Sequence, residues 1–170
     1  MEAYEAIITR RSCRKYTDGT ISEEQIRMLL DAAMSAPSAR NTQPWHFIVV
    51  TDRDRLNAMA EIIPYGKMLR EAPLGLVVCG DRSLQDRDGY LAQDCSAATQ
   101  NILLAAHALG LGGVWLGVYP REDRMEGLKE LFEIPEGIVP ISAISIGVPV
   151  KPGERVDRYQ AGRVHHYAWD

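Results

Sequence analysis

The sequence predicts an α+β protein in which a central mixed sheet is flanked by helices. Segments with helical spacing alternate with short apolar runs typical of buried strands, which places helices on both faces of the sheet. Two helical segments precede the first strand, so a plain doubly wound sheet is disfavoured. The GxGxxG fingerprint of dinucleotide-binding turns is absent, and the glycine-rich residues 110–113 enter a strand rather than a helix.

The length of 170 residues suits a single domain spanning residues 1–170. A net charge of −4 gives no general attraction to nucleic acid or to anionic membranes. The most apolar stretch, 97–118, contains Gln100, Asn101 and His107, which argues against a membrane span. Three cysteines without CxxC spacing, and no signal-like N-terminus, favour a reducing cytoplasm.

The N-terminal part of the chain begins with two helical segments. Residues 1–9 suit a short helix. Ser22 and Gln25 form a capping-box pattern ahead of a second helix, which Pro37 ends. The apolar face of this second helix consists of Ile26, Leu29, Leu30, Ala33 and Met34.

The remainder alternates between strands and helices. Asp52 is a candidate helix cap, Pro64 a stop, and Gly110 a C-terminal stop for a helix that is apolar or small nearly all round. The expected order is strand 45–50, helix 52–63, a weaker helical piece 65–71, strand 74–79, helix 90–109, strand 114–118, helix 121–132, strand 138–148 and an extended tail 151–170.

Basic residues cluster just after the first helix. Arg10, Arg11 and Arg14, together with the hydroxyl of Ser12, form a plausible phosphate clamp, because a guanidinium fork matches phosphate oxygens. The alternative is a solvated helix end, where basic residues complement the helix dipole. Arg14 and Arg11 also flank Cys13, which leaves a reactive thiol as a minor alternative.

A polar loop lies between two prolines, directly before the first strand. Ser38, Asn41 and Gln43 can both donate and accept hydrogen bonds, as the polar edge of a heterocycle requires. An ordinary capping turn is the alternative.

Two further features are weaker by themselves. Gly117, after Leu116, allows close approach of a flat ligand to the backbone or marks a bend. Tail arginines, here Arg155, Arg158 and Arg163, are usually solvated. The histidines lack metal-ligand spacing, and GxSxG is absent, so a metal site and serine hydrolysis are not expected.

Taken together and in order, these motifs resemble the FMN-dependent nitroreductase family. The resemblance spans nearly the whole chain. It rests on RRSxRxY at 10–16, PSxxNxQPW at 37–45, the LGLG that leads into WLG at 109–117, and RY at 158–159 with VHxxxW at 164–169. It implies an intertwined homodimer in which the tail adds to the partner's sheet and FMN lies in each of two interfacial clefts.

The resemblance also implies residue roles at the N-terminal segment and the tail. Arg10, Arg11 and Ser12 would face the FMN phosphate and ribityl chain, and Arg14 would approach the pyrimidine edge of the ring. Arg158 would bind the phosphate from the tail. The less certain alternatives there are Arg163 and Arg155.

The ring itself would be met from two other segments. Ser38, Asn41 and Gln43 would touch the flavin, some of them from the opposite subunit. The backbone of Leu116 and Gly117 would lie near N5.

The implied activity is an FMN oxidoreductase that moves electrons from NAD(P)H to a small acceptor such as a nitroaromatic or a quinone by a ping-pong mechanism. The short segment 63–90 implies an open cleft. The alternatives are a flavin-cleaving or dehalogenating enzyme of the same superfamily, a flavin-binding redox module without turnover, and a relic of the fold that binds no flavin.

Overall fold

A four-stranded sheet lies at the centre of the structure, and helices pack on both of its faces. The structure is a computed structural model that describes residues 1–169. Its regular elements are α1 (Ala3–Thr9), α2 (Glu23–Met34), β1 (Trp45–Val50), α3 (Arg53–Ile62), β2 (Leu74–Asp81), α4 (Asp88–Ala108), β3 (Gly112–Gly117), α5 (Glu122–Phe132) and β4 (Ile138–Gly147).

The strand order is β1-β2-β4-β3, and each neighbouring pair is antiparallel. The α+β class is confirmed, but the mixed pairing expected within the sheet is not observed among these four strands. Because β4 is antiparallel to both neighbours, β2 and β3 run in the same direction, as a crossover through α4 requires. The last strand inserts between them, which local sequence pattern does not reveal. A parallel contact occurs only as an isolated bridge between Ser12 and Gly113 in the described residues.

Each face of the sheet has its own hydrophobic core. The core under α2 and α4 includes Leu29, Ile102 and Ile144, and the core under α3 and α5 includes Leu56 and Leu128. Residues of β2 alternate between the two cores, because successive side chains of a strand point to opposite faces. A strand covered on both sides explains the continuous apolar run in the sequence.

Most predicted boundaries hold within one to three residues. The Ser22–Gln25 capping box forms in both directions, and Asp52 caps α3 by accepting from the Arg55 amide. Gly110 ends α4 with a φ of 77°.

Three details differ from the sequence prediction. Met34, expected on the core face of α2, is half exposed. The weaker helical piece is a 3-10 turn, Lys67–Arg70, and the otherwise irregular tail contains another, Ala161–Arg163.

No helix in residues 1–169 combines the length and the apolar character needed to cross a bilayer.

Candidate functional site

The basic segment after α1 is fixed against the start of β3. The Cys13 amide donates to the Gly113 carbonyl at 2.9 Å, beside the Ser12–Gly113 bridge. Tyr16 anchors the other end: its hydroxyl lies 2.9 Å from the Cys13 carbonyl oxygen and 3.1 Å from that of Ser145. Burial raises the pKa of Tyr16, so the hydroxyl remains a donor. The arginines therefore extend from a pinned backbone.

The tail returns to this segment and brings its own arginines. A cavity of about 330 Å³ lies between α1 and residues 155–159. Arg10 and Arg11 line it from one side, and Arg155 and Arg158 from the other. Arg163 lies in the later 3-10 turn and is not among the residues that line this cavity.

Four arginines and one carboxylate, Asp157, line this cavity, and no salt bridge joins the arginines to a carboxylate in residues 1–169. Burial lowers the pKa of Arg10, and the positive charges of Arg11 and Arg158 lower it further. Arg10 Nε, Arg11 Nε and Arg11 Nη2 are buried and find no hydrogen-bond partner in residues 1–169. Buried donors without acceptors are costly, so this cluster is built for an anion.

A second cavity of about 570 Å³ adjoins the first and shares Arg11 and Val156 with it. Ser12 and Arg14 line this second cavity, as does Gly112 at the start of β3.

His107, near the end of α4, also faces this second cavity. Thr9 Oγ1 donates to the Glu5 carbonyl and lies 2.7 Å from His107 Nε2, so Nε2–H donates to the threonine. Burial, then Arg10 and Arg11, lower the pKa of His107. A neutral histidine adds no further positive charge to the cavities.

The far end of β3 has an open backbone. Leu116 is buried toward α3 and α5, so only its main chain can meet a ligand. Gly117 is exposed, and a Cβ built on it would meet no atom within 4 Å. From Gly112 to Gly117 the strand spans about 17 Å. Neither cavity described above extends to this end of β3.

The polar loop before β1 adopts a strained conformation. Arg40, Asn41 and Gln43 have φ angles of 54°, 55° and 48°, values that residues other than glycine rarely adopt. The Gln43 amide donates to Ser38 Oγ at 3.0 Å. Side chains of Asn41 and Gln43 are exposed and therefore free to meet a ligand.

Asp94 holds this loop from α4. It is 5% exposed, and its Oδ1 accepts from the Ala39 amide at 2.9 Å. The sequence signal for it is an acidic residue inside the most apolar helix, which needs a polar partner when buried. The contact itself spans 55 residues and was not predicted.

Within one chain, α4 separates the polar loop from the arginines. Asp94 contacts the loop and His107 contacts Thr9, directly before the arginines; the two residues are 13 positions apart, which is about 20 Å of helix. The structure therefore does not bring Ser38, Asn41 and Gln43 to Arg10 and Arg11 within a single chain.

Comparison with known proteins assigns the family. The nitroreductase family model matches residues 7–65 and 64–148. The chain belongs to the nitroreductase family. A relative from Methanothermobacter thermautotrophicus, named "Putative NADH dehydrogenase/NAD(P)H nitroreductase", is 53% identical over 99% of this chain and 88% of its own.

Solved structures of nitroreductase-family relatives agree with the fold. An FMN-dependent nitroreductase from Clostridium difficile R20291 superposes with a TM-score of 0.90 at 29% identity, covering 98% of this chain and 99% of the other. The NADPH:FMN oxidoreductase from Vibrio harveyi, solved with NAD⁺, gives a TM-score of 0.86 at 27% identity, covering 99% and 78%.

The residues present fit the FMN of a nitroreductase. Orphaned guanidinium nitrogens of Arg10 and Arg11 suit a phosphate, and the open side of Gly117 suits a flat ring. Arg14 and Ser12 lie on the wall of the larger cavity, which shares Arg11 with the smaller one.

Replacing Arg10 tests the electrostatic state of the cavity directly. We expect Arg10→Gln to raise the urea midpoint of the ligand-free protein, because it removes repulsion from Arg11 and Arg158. The free energy of unfolding should rise by up to about 1 kcal/mol after solvent screening. Added salt should reduce the difference in urea midpoint between Arg10→Gln and the wild type, because it screens the repulsion. Arg27→Gln, which changes an exposed arginine, is the control and should not raise the urea midpoint. A lower midpoint for Arg10→Gln would show that the cluster is already neutralised.

Proposed function

We propose that this chain is an FMN-dependent oxidoreductase that transfers electrons from NAD(P)H to small acceptors, such as nitroaromatics or quinones, by a ping-pong mechanism. It acts as a homodimer in the cytoplasm. The observation that carries the proposal is the convergence of arginines from both ends of a nitroreductase-family chain, with nitrogens of Arg10 and Arg11 that lack acceptors in residues 1–169.

The arginines hold the FMN phosphate. Each charge-assisted hydrogen bond contributes about 1.5–3 kcal/mol. Arg10 and Arg11 approach from the N-terminal segment and Arg158 from the tail, with Arg155 also in reach of the cavity. Arg163 remains a weaker prediction, since the tail of one chain does not carry it to the cavity wall.

Residues of β3, of the basic segment and of the polar loop orient the flavin ring. When bound, FMN supplies the redox chemistry, taking a hydride from NAD(P)H and passing electrons to the acceptor. Leu116 and Gly117 offer backbone groups to the ring, and Arg14 places a positive charge toward its pyrimidine edge. Ser38, Asn41 and Gln43 supply hydrogen bonds from a loop that is already rigid, which lowers the entropic cost of binding.

A homodimer accounts for the separation of these groups. Since the loop and the arginines lie about 20 Å apart along α4, a single FMN meets both if the loop comes from a second subunit. The 19.0-kDa chain exposes 10228 Å² of surface. A folded monomer of this mass exposes about 8,400 Å².

Exposed aromatic residues locate part of the proposed interface. Tyr159 is 76% exposed and Trp169 89%, and β1 is an edge strand of the described sheet. Such side chains favour association. We propose that the tail 151–170 covers the partner's sheet.

The function is tested by cofactor content and turnover. We expect yellow protein that releases one FMN per chain on denaturation and oxidises NAD(P)H when a quinone or nitroaromatic is added. Parallel double-reciprocal plots would support the ping-pong order. Bound FMN without NAD(P)H oxidation would instead indicate a redox module, and colourless protein that does not take up FMN would refute the proposal. Release of halide from a haloaromatic, or destruction of the flavin, would indicate the other enzymatic branch.

Removing an arginine tests the assignment of Arg11 to the phosphate and of Arg14 to the pyrimidine edge of the ring. We expect Arg11→Ala and Arg14→Ala to weaken FMN binding about tenfold to hundredfold. Titration of apoprotein by flavin fluorescence measures this effect, and gel filtration should show an unchanged dimer. Arg27→Ala, in an exposed part of α2, is the matched control. Equal FMN affinity in all three variants would reject the assignment.

Subunit mixing tests the shared site. Arg11→Ala disables the arginine side and Asn41→Ala the loop side, so each homodimer carries two defective sites. A hybrid of the two has one site with both changes and one with neither. We expect hybrids to regain about half of the wild-type FMN stoichiometry at low FMN. No recovery in purified hybrids would place both residues in the same subunit's site.

A further inference from the structure

The carbonyl of Gly117 is held by a side chain that the sequence did not single out. Arg124, in the first turn of α5, donates from Nη1 to the Gly117 carbonyl oxygen at 2.6 Å. Gly117 is the open position at the end of β3. Gly117 is paired with Ser142 of β4, so the strand pairing and the guanidinium together orient this peptide, which has no side chain of its own to pack.

Arg124 is not fully satisfied by the described chain, although Glu122 and Asp123 share the first turn of α5 with it. A cation in the first turn of a helix faces the positive end of the helix dipole. Its Nε is buried without a hydrogen-bond partner, and no carboxylate of residues 1–169 lies within 4 Å of its side-chain nitrogens. Arg124 is half-buried, and a buried N–H without an acceptor costs free energy. Its Nε therefore suits a hydrogen-bond acceptor supplied from outside the chain.

The two observations meet at the ring end of the proposed cofactor site. We propose that Arg124 is a positioning residue for electron transfer: it fixes the Gly117 peptide against the flavin ring and places a positive charge beside that ring. The inference rests on the proposed function and goes beyond it, because it assigns the tuning of the cofactor to a residue on α5. The positive charge favours the electron-rich reduced ring over the oxidised ring.

A purely structural tether is the competing explanation. In that case, loss of Arg124 would lower stability and weaken oxidised and reduced FMN equally. A tuning role predicts a selective effect, since charge beside the ring distinguishes the two oxidation states. The ratio of the two affinities separates these explanations and requires no turnover.

The experiment compares Arg124→Gln with Arg124→Lys and with Arg121→Gln. Arg121 is an exposed cation three residues earlier, at the N-cap of α5. Its replacement removes the same charge from the surface near the start of this helix. Dissociation constants for oxidised and reduced FMN are measured on apoprotein, and the midpoint potential on the loaded protein. Stopped-flow reduction by NAD(P)H gives the hydride-transfer rate and its half-saturation.

For Arg124→Gln we expect oxidised FMN to bind within about threefold of wild type and reduced FMN about tenfold more weakly. That ratio corresponds to a potential about 30 mV lower for a two-electron couple. Hydride transfer should slow about tenfold with little change in half-saturation. Arg124→Lys should restore the potential through its charge while recovering the rate only partly, because an ammonium lacks the guanidinium fork.

An unchanged affinity ratio and rate in Arg124→Gln would overturn the inference, as would the same shift in Arg121→Gln. If Arg124→Gln fails to fold, the decision passes to Arg124→Lys, whose hydride-transfer rate must fall below wild type for the inference to stand. Failure of the proposed function would be seen separately, as wild-type apoprotein that binds neither form of FMN.

Discussion

Repulsion of Arg10 by its neighbours Arg11 and Arg158 is the constraint on which the site depends. Arg10, Arg11 and Arg158 converge although each disfavours the charge of the others, and several of their nitrogens lack acceptors in the described chain. Packing of α1, the pinned segment before Tyr16 and the returning tail hold them together. The fold thus keeps a cavity rich in arginine ready, and an anion bound there offsets the repulsion among these side chains.

The length of α4 determines how the rest of the site is assembled. One part of this helix supports the arginine segment through His107 and the other supports the polar loop through Asp94. A rigid helix keeps these supports about 20 Å apart, so no rearrangement of side chains alone unites them. The proposed homodimer meets this geometric need of the cofactor, since it brings a loop from a second subunit to the arginines.

Sequence pattern predicted the elements well because their causes are local. The Ser22 capping box, the Asp52 cap and the glycine at Gly110 each act within a few residues, and the structure has all three. The strand order was not predictable in this way. Whether β4 inserts between β2 and β3 depends on packing across the whole sheet, which leaves no signature in the spacing of apolar residues.

In the candidate site, too, features with a local cause were predictable from the sequence and long-range contacts were not. Motifs predicted which segments carry chemistry, and the structure places Arg10, Arg11 and Arg158 around one cavity. Asp94 had a visible signal, an acidic residue in an apolar helix, but its partner on a distant loop had none. Arg124 had no signal, because an arginine beside Glu122 and Asp123 reads as part of a solvated helix start.

Two restrained segments of the proposed ring site connect these findings with the proposed catalysis. On one side, Asp94 maintains a loop with three left-handed residues, a conformation that costs free energy and persists only when its surroundings enforce it. On the other, Arg124 fixes the peptide at Gly117. Hydride transfer depends steeply on the distance and angle between donor and acceptor. A site whose walls are set before the cofactor and NAD(P)H arrive does not spend binding free energy on ordering them.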